Sequence, residues 1–186
     1  MFMEYKMTIA GLERSLPLCK LTDEVYIAAF VIFGDAELTV AAAGELLKRA
    51  PDYDYLLTAE AKGIPLIHEL ARQRGDSKYF VARKAPKLYM TELFEVDVDS
   101  ITTAGDQKLY LDMADAEMMR GKRILLVDDV ISTGNSLRAL ETLTETAEGT
   151  VIGRMSILAE GDAQSRSDIV YLEKLPLFRP DGSAIS

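Results

Sequence analysis

Residues 123–137 read RILLVDDVISTGNSL, and this stretch gives the clearest indication of the fold class. Ile124 to Val127 is continuous and apolar, as in a central strand that is covered on both faces. Two adjacent carboxylates, Asp128 and Asp129, follow it, and a short loop then opens a helix predicted over 135–146. A strand, a loop and a helix in this order are typical of an α/β protein with a parallel sheet, in which ligands bind at the carboxyl ends of the strands.

The loop has the groups that a phosphate monoester requires. It consists of Ser132, Thr133, Gly134, Asn135 and Ser136. Hydroxyls and backbone N–H groups at a helix N-terminus donate hydrogen bonds to an anion, and the glycine lets the backbone approach closely. The preceding acids fit a sugar phosphate, because carboxylates accept hydrogen bonds from ribose hydroxyls. The alternative is a strand end whose acids only cap the following turn.

The flanking sequence predicts further elements of the same α/β pattern. Asp35 is a good N-cap, and Gly75 ends a helix. Residues 88–110 alternate in parts, as a hairpin does, and the C-terminal tail with its prolines is expected to be frayed. Helices are predicted over 36–50, 63–73 and 113–120, and strands over 55–58, 79–83 and 150–158.

Composition excludes several classes of protein. The chain has 186 residues, of which 48% are hydrophobic, and its net charge of −9 makes it a poor candidate for nucleic-acid binding. A single cysteine, Cys19, excludes an internal disulfide and a cysteine-based zinc cluster. The longest apolar stretch, 25–33, is too short to span a membrane, and the start lacks the pattern of a signal peptide. We therefore expect a cytoplasmic protein without a membrane or nucleic-acid partner.

Residues 124–136, ILLVDDVISTGNS, resemble the phosphoribosyl-pyrophosphate (PRPP) signature of type I phosphoribosyltransferases. The resemblance implies an α/β fold with a parallel-sheet core flanked by helices and a small hood that holds the acceptor base. One domain over 1–186 is expected, with the hood at about 1–35 plus the C-terminal segment and the core at about 36–160. By the same resemblance, Asp128 and Asp129 are catalytic residues that face the ribose diol, and 132–136 bind the 5′-phosphate.

Two more segments resemble the purine subgroup of this family. LTAEAKGI at 57–64 is similar to the pyrophosphate loop of the adenine and xanthine enzymes, and FVARKAPKL at 80–88 is similar to their basic segment. The resemblance implies that pyrophosphate binds at Ala61, Lys62, Arg83, Lys84 and Lys87. The alternative is that these cations are solvated or pair with surface acids.

The implied activity is transfer of the phosphoribosyl group from PRPP to a purine base, with adenine favoured, in purine salvage. The products are a nucleoside 5′-monophosphate and pyrophosphate. Mg²⁺ would arrive with PRPP and have no direct protein ligand, and a homodimer is expected. The alternatives are a xanthine or guanine phosphoribosyltransferase and a non-catalytic regulatory protein that senses PRPP.

The chain departs from the adenine enzymes at two places. Their Phe-Arg-Asp segment corresponds best to Phe33-Gly34-Asp35, which lacks the arginine, and Phe33 is interpreted as a core residue of the hood. Their mobile loop carries a glutamate, whereas the polar loop at 99–107, interpreted as a lid or as an ordinary hairpin tip, has none. Glu160, after the last predicted strand, either reaches the base or faces water.

Overall fold

The computed structural model describes residues 3–98 and 107–185, and the predicted lid at 99–107 falls almost wholly outside them. The strands are β1 (Glu4–Ile9), β2 (Leu12–Lys20), β3 (Tyr26–Ala28), β4 (Tyr55–Ala59), β5 (Phe80–Ala82), β6 (Leu93–Val98), β7 (Gln107–Asp112), β8 (Arg123–Ile131), β9 (Thr150–Glu160), β10 (Val170–Leu175), β11 (Leu177–Phe178) and β12 (Ala184–Ile185). The helices are α1 (Ala36–Leu47), α2 (Ile64–Arg74), α3 (Met113–Met119) and α4 (Asn135–Thr146), with a short 3-10 helix at Gly161–Ser165.

The central sheet has five parallel strands in the order β10-β9-β8-β4-β5, with the decisive stretch in the middle. The predicted fold class is therefore confirmed. One detail of the prediction is wrong: β8 does not end before Asp128 but continues through both acids to Ile131. It continues because β9 runs beside it, with Val130 opposite Leu158 and Ile131 opposite Ala159.

Helices cover both faces of this sheet, as the apolar strand at its centre predicts. Leu125 and Val127 of β8 point into a cluster with α1 and α2. Ile124 and Leu126 point to the opposite face, into a cluster with α4 and the β6-β7 hairpin. Because successive side chains of a strand alternate between the two faces of the sheet, one uniformly apolar strand contributes side chains to the cores on both faces.

The helix boundaries follow from local signals. Asp35 caps α1 by accepting a hydrogen bond from the Leu38 N–H, and Gly75 ends α2 in the left-handed conformation. Both caps and the exact span of α4 are confirmed. The helix predicted over 36–50 ends earlier, at Leu47, three residues before the end predicted from Pro51.

A second, antiparallel sheet has the order β1-β2-β3-β11-β12, and we call it the hood sheet. The tail that was expected to be frayed belongs to it, because Leu177 pairs with Ile27 on one side and with Ile185 on the other. The hood sheet shares its core with the α1 side of the central sheet through buried side chains such as Ile9 and Phe178. Phe33, interpreted above as a core residue, is instead 51% exposed.

Among the helices that are described, none combines the length and the apolar character that a membrane crossing needs.

Candidate active site

The candidate site lies where the chain reverses its direction of travel across the central sheet. From β4 the chain moves outward to β5, whereas from β8 it moves to β9 on the other side. In an open α/β sheet, such a switch point leaves a crevice at the carboxyl ends of the two strands. The loop 60–63 follows β4 and the loop 132–136 follows β8, so the topology brings the predicted pyrophosphate and phosphate segments to the same edge.

Gly63 shows how closely the first loop sits against the strands. A Cβ atom at this position would lie 2.1 Å from Thr58 Oγ1 and 3.5 Å from Asp128 Oδ1. Thr58 is completely buried in β4. The loop therefore packs directly on the strand ends, beside the acidic pair of β8, at a distance that only glycine permits.

The acidic pair at the end of β8 is buried without full hydrogen bonding. Asp129 is only 2% exposed, and its Oδ2 lies 3.4 Å from Lys62 Nζ. Asp128 is half-buried and accepts a hydrogen bond of 2.9 Å from the Asp129 N–H. Within residues 3–98 and 107–185, the buried side-chain polar atoms without a hydrogen-bond partner are Asp129 Oδ2 and Arg83 Nε. Each atom lies near an opposite charge, Lys62 for Asp129 and Glu60 for Arg83, without the geometry of a hydrogen bond. Since buried polar groups normally have hydrogen-bond partners, these two atoms are candidate ligand-binding groups.

Burial, and after it the negative charge of Asp129, together raise the pKa of Asp128 from 3.8 to about 7. Because the folded state holds the proton more tightly than the unfolded state, Asp128 favours folding at low pH. This contribution is lost as the pH rises from about 4 towards 7.

Asp128→Asn removes the titrating carboxyl group and therefore tests its pH-dependent contribution to stability. We expect the free energy of unfolding of the variant, relative to the wild type, to increase as the pH rises from 4 towards 7, because the wild type must then bury a charge. Urea unfolding at pH 5 and pH 7.5 measures this difference. An equal difference at both pH values would contradict the raised pKa.

Two of the cations predicted to bind pyrophosphate lie beside an acid, Glu60, to which the sequence analysis gave no role. Glu60 Oε2 lies 3.1 Å from Arg83 Nε, and Glu60 Oε1 lies 3.8 Å from Lys87 Nζ. The Lys84 N–H donates to the same carboxylate, while the Lys84 side chain is exposed. Lys62 stands apart from this group, beside Asp129. The site thus has one cation next to the acidic pair and two around Glu60.

The predicted phosphate loop has the shape of an anion cradle. Gly134 has φ +80°, a left-handed conformation that favours glycine, and it directly precedes α4. No side chain among the described residues caps α4, so its first N–H groups are left for another acceptor. A small cavity of about 40 Å³ lies against this loop and Asp128.

A larger cavity adjoins the loop on the side of the hood sheet. Its volume is about 370 Å³, and Ser132 and Thr133 form one wall. Burial raises the pKa of Glu160, which stands half-buried in this cavity at the end of β9. The remaining lining is Leu21, Ile27, Gly161, Asp162 and Leu177. The cavity combines apolar hood side chains with two acids, Glu160 and Asp162, as expected for a planar organic ligand with a few polar groups.

Sequence patterns identified most of these residues but not their arrangement. The segment 57–64 contains Glu60, yet its sequence does not indicate that the carboxylate turns towards the basic segment 80–88. The available signal was an acid two positions before a loop lysine, in a chain with a separate basic cluster. Among the described residues, no three acidic, histidine or cysteine side chains are grouped to hold a metal ion.

An all-parallel sheet whose switch point joins an acidic pair to a phosphate-type loop defines the class of α/β proteins that bind phosphorylated ligands at strand ends. A family model described as "Phosphoribosyl transferase domain" matches residues 34–174, and the chain belongs to this family.

Relatives in the family differ in the base that their names carry. A hypoxanthine/guanine phosphoribosyltransferase of Methanosarcina mazei is 36% identical over 109 residues, which are 59% of this chain and 53% of the relative. An adenine phosphoribosyltransferase of Brachyspira hyodysenteriae is 29% identical over 124 residues, 67% of this chain and 68% of that protein. The chain spans about half the length of the first of these relatives.

The fold is similar to that of solved adenine phosphoribosyltransferases. The enzyme from Thermoanaerobacter pseudethanolicus superposes with a TM-score of 0.63 at 24% identity, over 77% of this chain and 84% of the other. Because the two sequences are only 24% identical, this similarity shows a shared fold alone.

Proposed function

We propose that this protein transfers the phosphoribosyl group of PRPP to a purine base, with adenine as the preferred base. The observation that carries the proposal is the buried acidic pair at the end of β8, with Asp129 Oδ2 lacking a hydrogen-bond partner within the described residues. It stands directly before a phosphate-type loop. A ribose 5-phosphate placed there satisfies both, because its 2′- and 3′-hydroxyls donate to carboxylates while its phosphate accepts from the loop.

In the proposed reaction, a purine nitrogen forms a bond to C1′ as the bond from C1′ to the pyrophosphate oxygen breaks. The electron pair leaves with pyrophosphate, and the nitrogen loses its proton. Arg83 and Lys87 neutralise charge that develops on the leaving group, and Lys62 adds a positive charge beside Asp129. Asp128 and Asp129 fix the sugar and face the cationic charge that develops at C1′.

The acidic pair also fits the outer shell of a Mg²⁺ ion that is carried by the substrate. Mg²⁺ prefers oxygen ligands and in proteins is commonly bound by one or two carboxylates together with substrate phosphates. From the outer shell, the unpartnered Asp129 Oδ2 would accept a hydrogen bond from a water that the ion keeps. When bound, the ion would supply positive charge beside the pyrophosphate.

Glu160 supports adenine as the base. An oxygen of its carboxyl group accepts a hydrogen bond from a 6-amino group whether or not the other oxygen is protonated. In its ionised form the carboxylate repels the 6-oxo oxygen of hypoxanthine, guanine and xanthine. The apolar hood residues around the same cavity suit the faces of a purine ring.

Turnover with a panel of bases tests the proposal. The protein is incubated with Mg²⁺, PRPP and adenine, hypoxanthine, guanine or xanthine in turn, and pyrophosphate release is measured. We expect release with adenine to exceed release with the 6-oxopurines. PRPP binding without release for any base would contradict the transferase and indicate a PRPP sensor.

Glu160→Leu tests the role of the acid in base selection. Loss of a hydrogen bond to a charged group costs about 1.5–3 kcal/mol, so we expect kcat/KM for adenine to fall about 10- to 100-fold. The kcat/KM for hypoxanthine should stay the same or rise, because the repulsive oxygen is gone. Glu173→Leu, at an exposed position of β10, is the matched control. Equal losses for both bases would contradict selection by Glu160.

A further inference from the structure

The phosphate loop carries no positive charge of its own. Its side chains are hydroxyls and one amide, and two acids precede it within β8. Of the cations named so far, Lys62 pairs with Asp129, whereas Arg83 and Lys87 pair with Glu60. The side chain of Lys84 is exposed. A sugar phosphate is close to a dianion at neutral pH, since its second pKa lies near 6. A cation near the loop would therefore add positive charge to the hydrogen bonds that the backbone N–H groups donate to the phosphate.

Arg166 places a guanidinium against this loop. A Cβ atom at Gly134 would lie 2.7 Å from Arg166 Nη1. The arginine therefore fills the space that any side chain at position 134 would need. It follows the 3-10 helix Gly161–Ser165, well outside the motifs that the sequence analysis used.

A bidentate ion pair sets the orientation of this guanidinium. Arg166 Nε and Nη2 donate to the two oxygens of Asp168 at 2.9 and 2.7 Å. Asp168 lies 3.6 Å from Arg154, which pairs with Glu141 of α4. This network of ion pairs therefore connects Arg166 to α4, the helix that begins at the phosphate loop. Within 3–98 and 107–185 the Nη1 group has no hydrogen-bond acceptor, so its N–H groups are available.

We infer that Arg166 is a further binding residue for the 5′-phosphate of PRPP and of the product nucleotide, held in place by Asp168. The inference rests on the proposed function, because it takes the loop as the phosphate site. Arginine suits this role since its planar fork can pair with a carboxylate along one edge and with a phosphate through its remaining N–H groups.

Binding of ribose 5-phosphate, measured by calorimetry, tests the inference on the full chain, with pyrophosphate as the second probe. We expect Arg166→Gln to weaken ribose 5-phosphate binding about 10- to 100-fold, as for loss of a charged hydrogen bond, and to leave pyrophosphate binding unchanged. Arg166→Lys should recover part of the affinity. Asp168→Asn should weaken binding by less than Arg166→Gln, because it loosens the guanidinium without removing it.

Two controls separate phosphate binding from a structural role. Arg120→Gln removes an equal charge from an exposed ion pair with Glu148 and should change neither affinity. In the wild type, ribose 5-phosphate affinity should rise between pH 5 and 7 as the phosphate becomes a dianion, and this rise should be smaller in Arg166→Gln. Thermal unfolding checks that the variants are folded.

The outcomes distinguish this inference from the proposed function. Unchanged ribose 5-phosphate affinity in Arg166→Gln overturns the role of Arg166, while pyrophosphate release by the wild type would still support the transferase. Equal weakening of both probes also overturns it, because that pattern indicates a general disturbance of the site. A wild type that binds neither probe overturns both.

Discussion

Asp129→Asn is expected to lower kcat/KM for phosphoribosyl transfer by about 100- to 10,000-fold. Two charge-assisted hydrogen bonds to the ribose hydroxyls, at about 1.5–3 kcal/mol each, account for this range. Asparagine has nearly the same shape, so the sugar can still enter. It loses the charge that holds the diol and faces the developing cation at C1′. Steady-state rates of pyrophosphate release measure the effect.

The same substitution should have little effect on folding. Asp129 is buried beside Asp128, and its Oδ2 has no hydrogen-bond partner among the described residues. Removing a buried charge offsets the cost of burying an amide, so we expect the free energy of unfolding to change by no more than about 1 kcal/mol. Asp23→Asn, at an exposed position paired with Lys20, is the control and should retain full activity. A catalytic rate equal to that of the wild type would refute the sugar-binding role of Asp129.

Gly63→Ala is expected to weaken pyrophosphate binding about 10- to 100-fold, which corresponds to about 1.4–2.7 kcal/mol. The new methyl group would lie 2.1 Å from Thr58 Oγ1, a distance that no packing tolerates, and Thr58 is completely buried. The loop 60–63 must therefore lift from β4. It would carry Glu60 and Lys62 away from their partners, and overpacking should also lower stability by about 1–3 kcal/mol.

A second substitution distinguishes this clash from a general loss of stability. In Thr58→Ala/Gly63→Ala the clashing oxygen is absent and the next contact, with the Cβ atom of residue 58, is 3.3 Å. Pyrophosphate affinity should then partly recover. Gly44→Ala in α1, where the nearest atom is Gln73 Oε1 at 3.4 Å, should leave binding unchanged. Wild-type pyrophosphate affinity in Gly63→Ala would contradict the close packing of the loop.

Local patterns predicted the elements that carry the site. The apolar run before Asp128, the glycine of the phosphate loop and the span of α4 all depend on residues within a few positions of one another. The cap formed by Asp35 is equally local. Such signals act through the backbone of one segment, so they can be detected without knowledge of the fold.

Strand length and strand pairing could not be predicted in the same way. β8 extends past its acids because β9 lies beside it, and Leu177 becomes part of a strand because Ile27 lies opposite. Segments as short as β11 and β12 have no periodicity of their own. Their hydrogen-bond partners include residues some 150 positions away in the sequence, and nothing local indicates that pairing.

Contiguous residues therefore encode the class of fold, the acidic pair and the two segments that are predicted to bind anions. Only the tertiary structure shows that Glu60 pairs with both Arg83 and Lys87. The same is true of the close approach of Arg166 to Gly134. These are contacts between side chains distant in sequence. These contacts depend on which strand ends lie side by side at the switch point. Tertiary packing, rather than local conformational preference, determines which strands are neighbours.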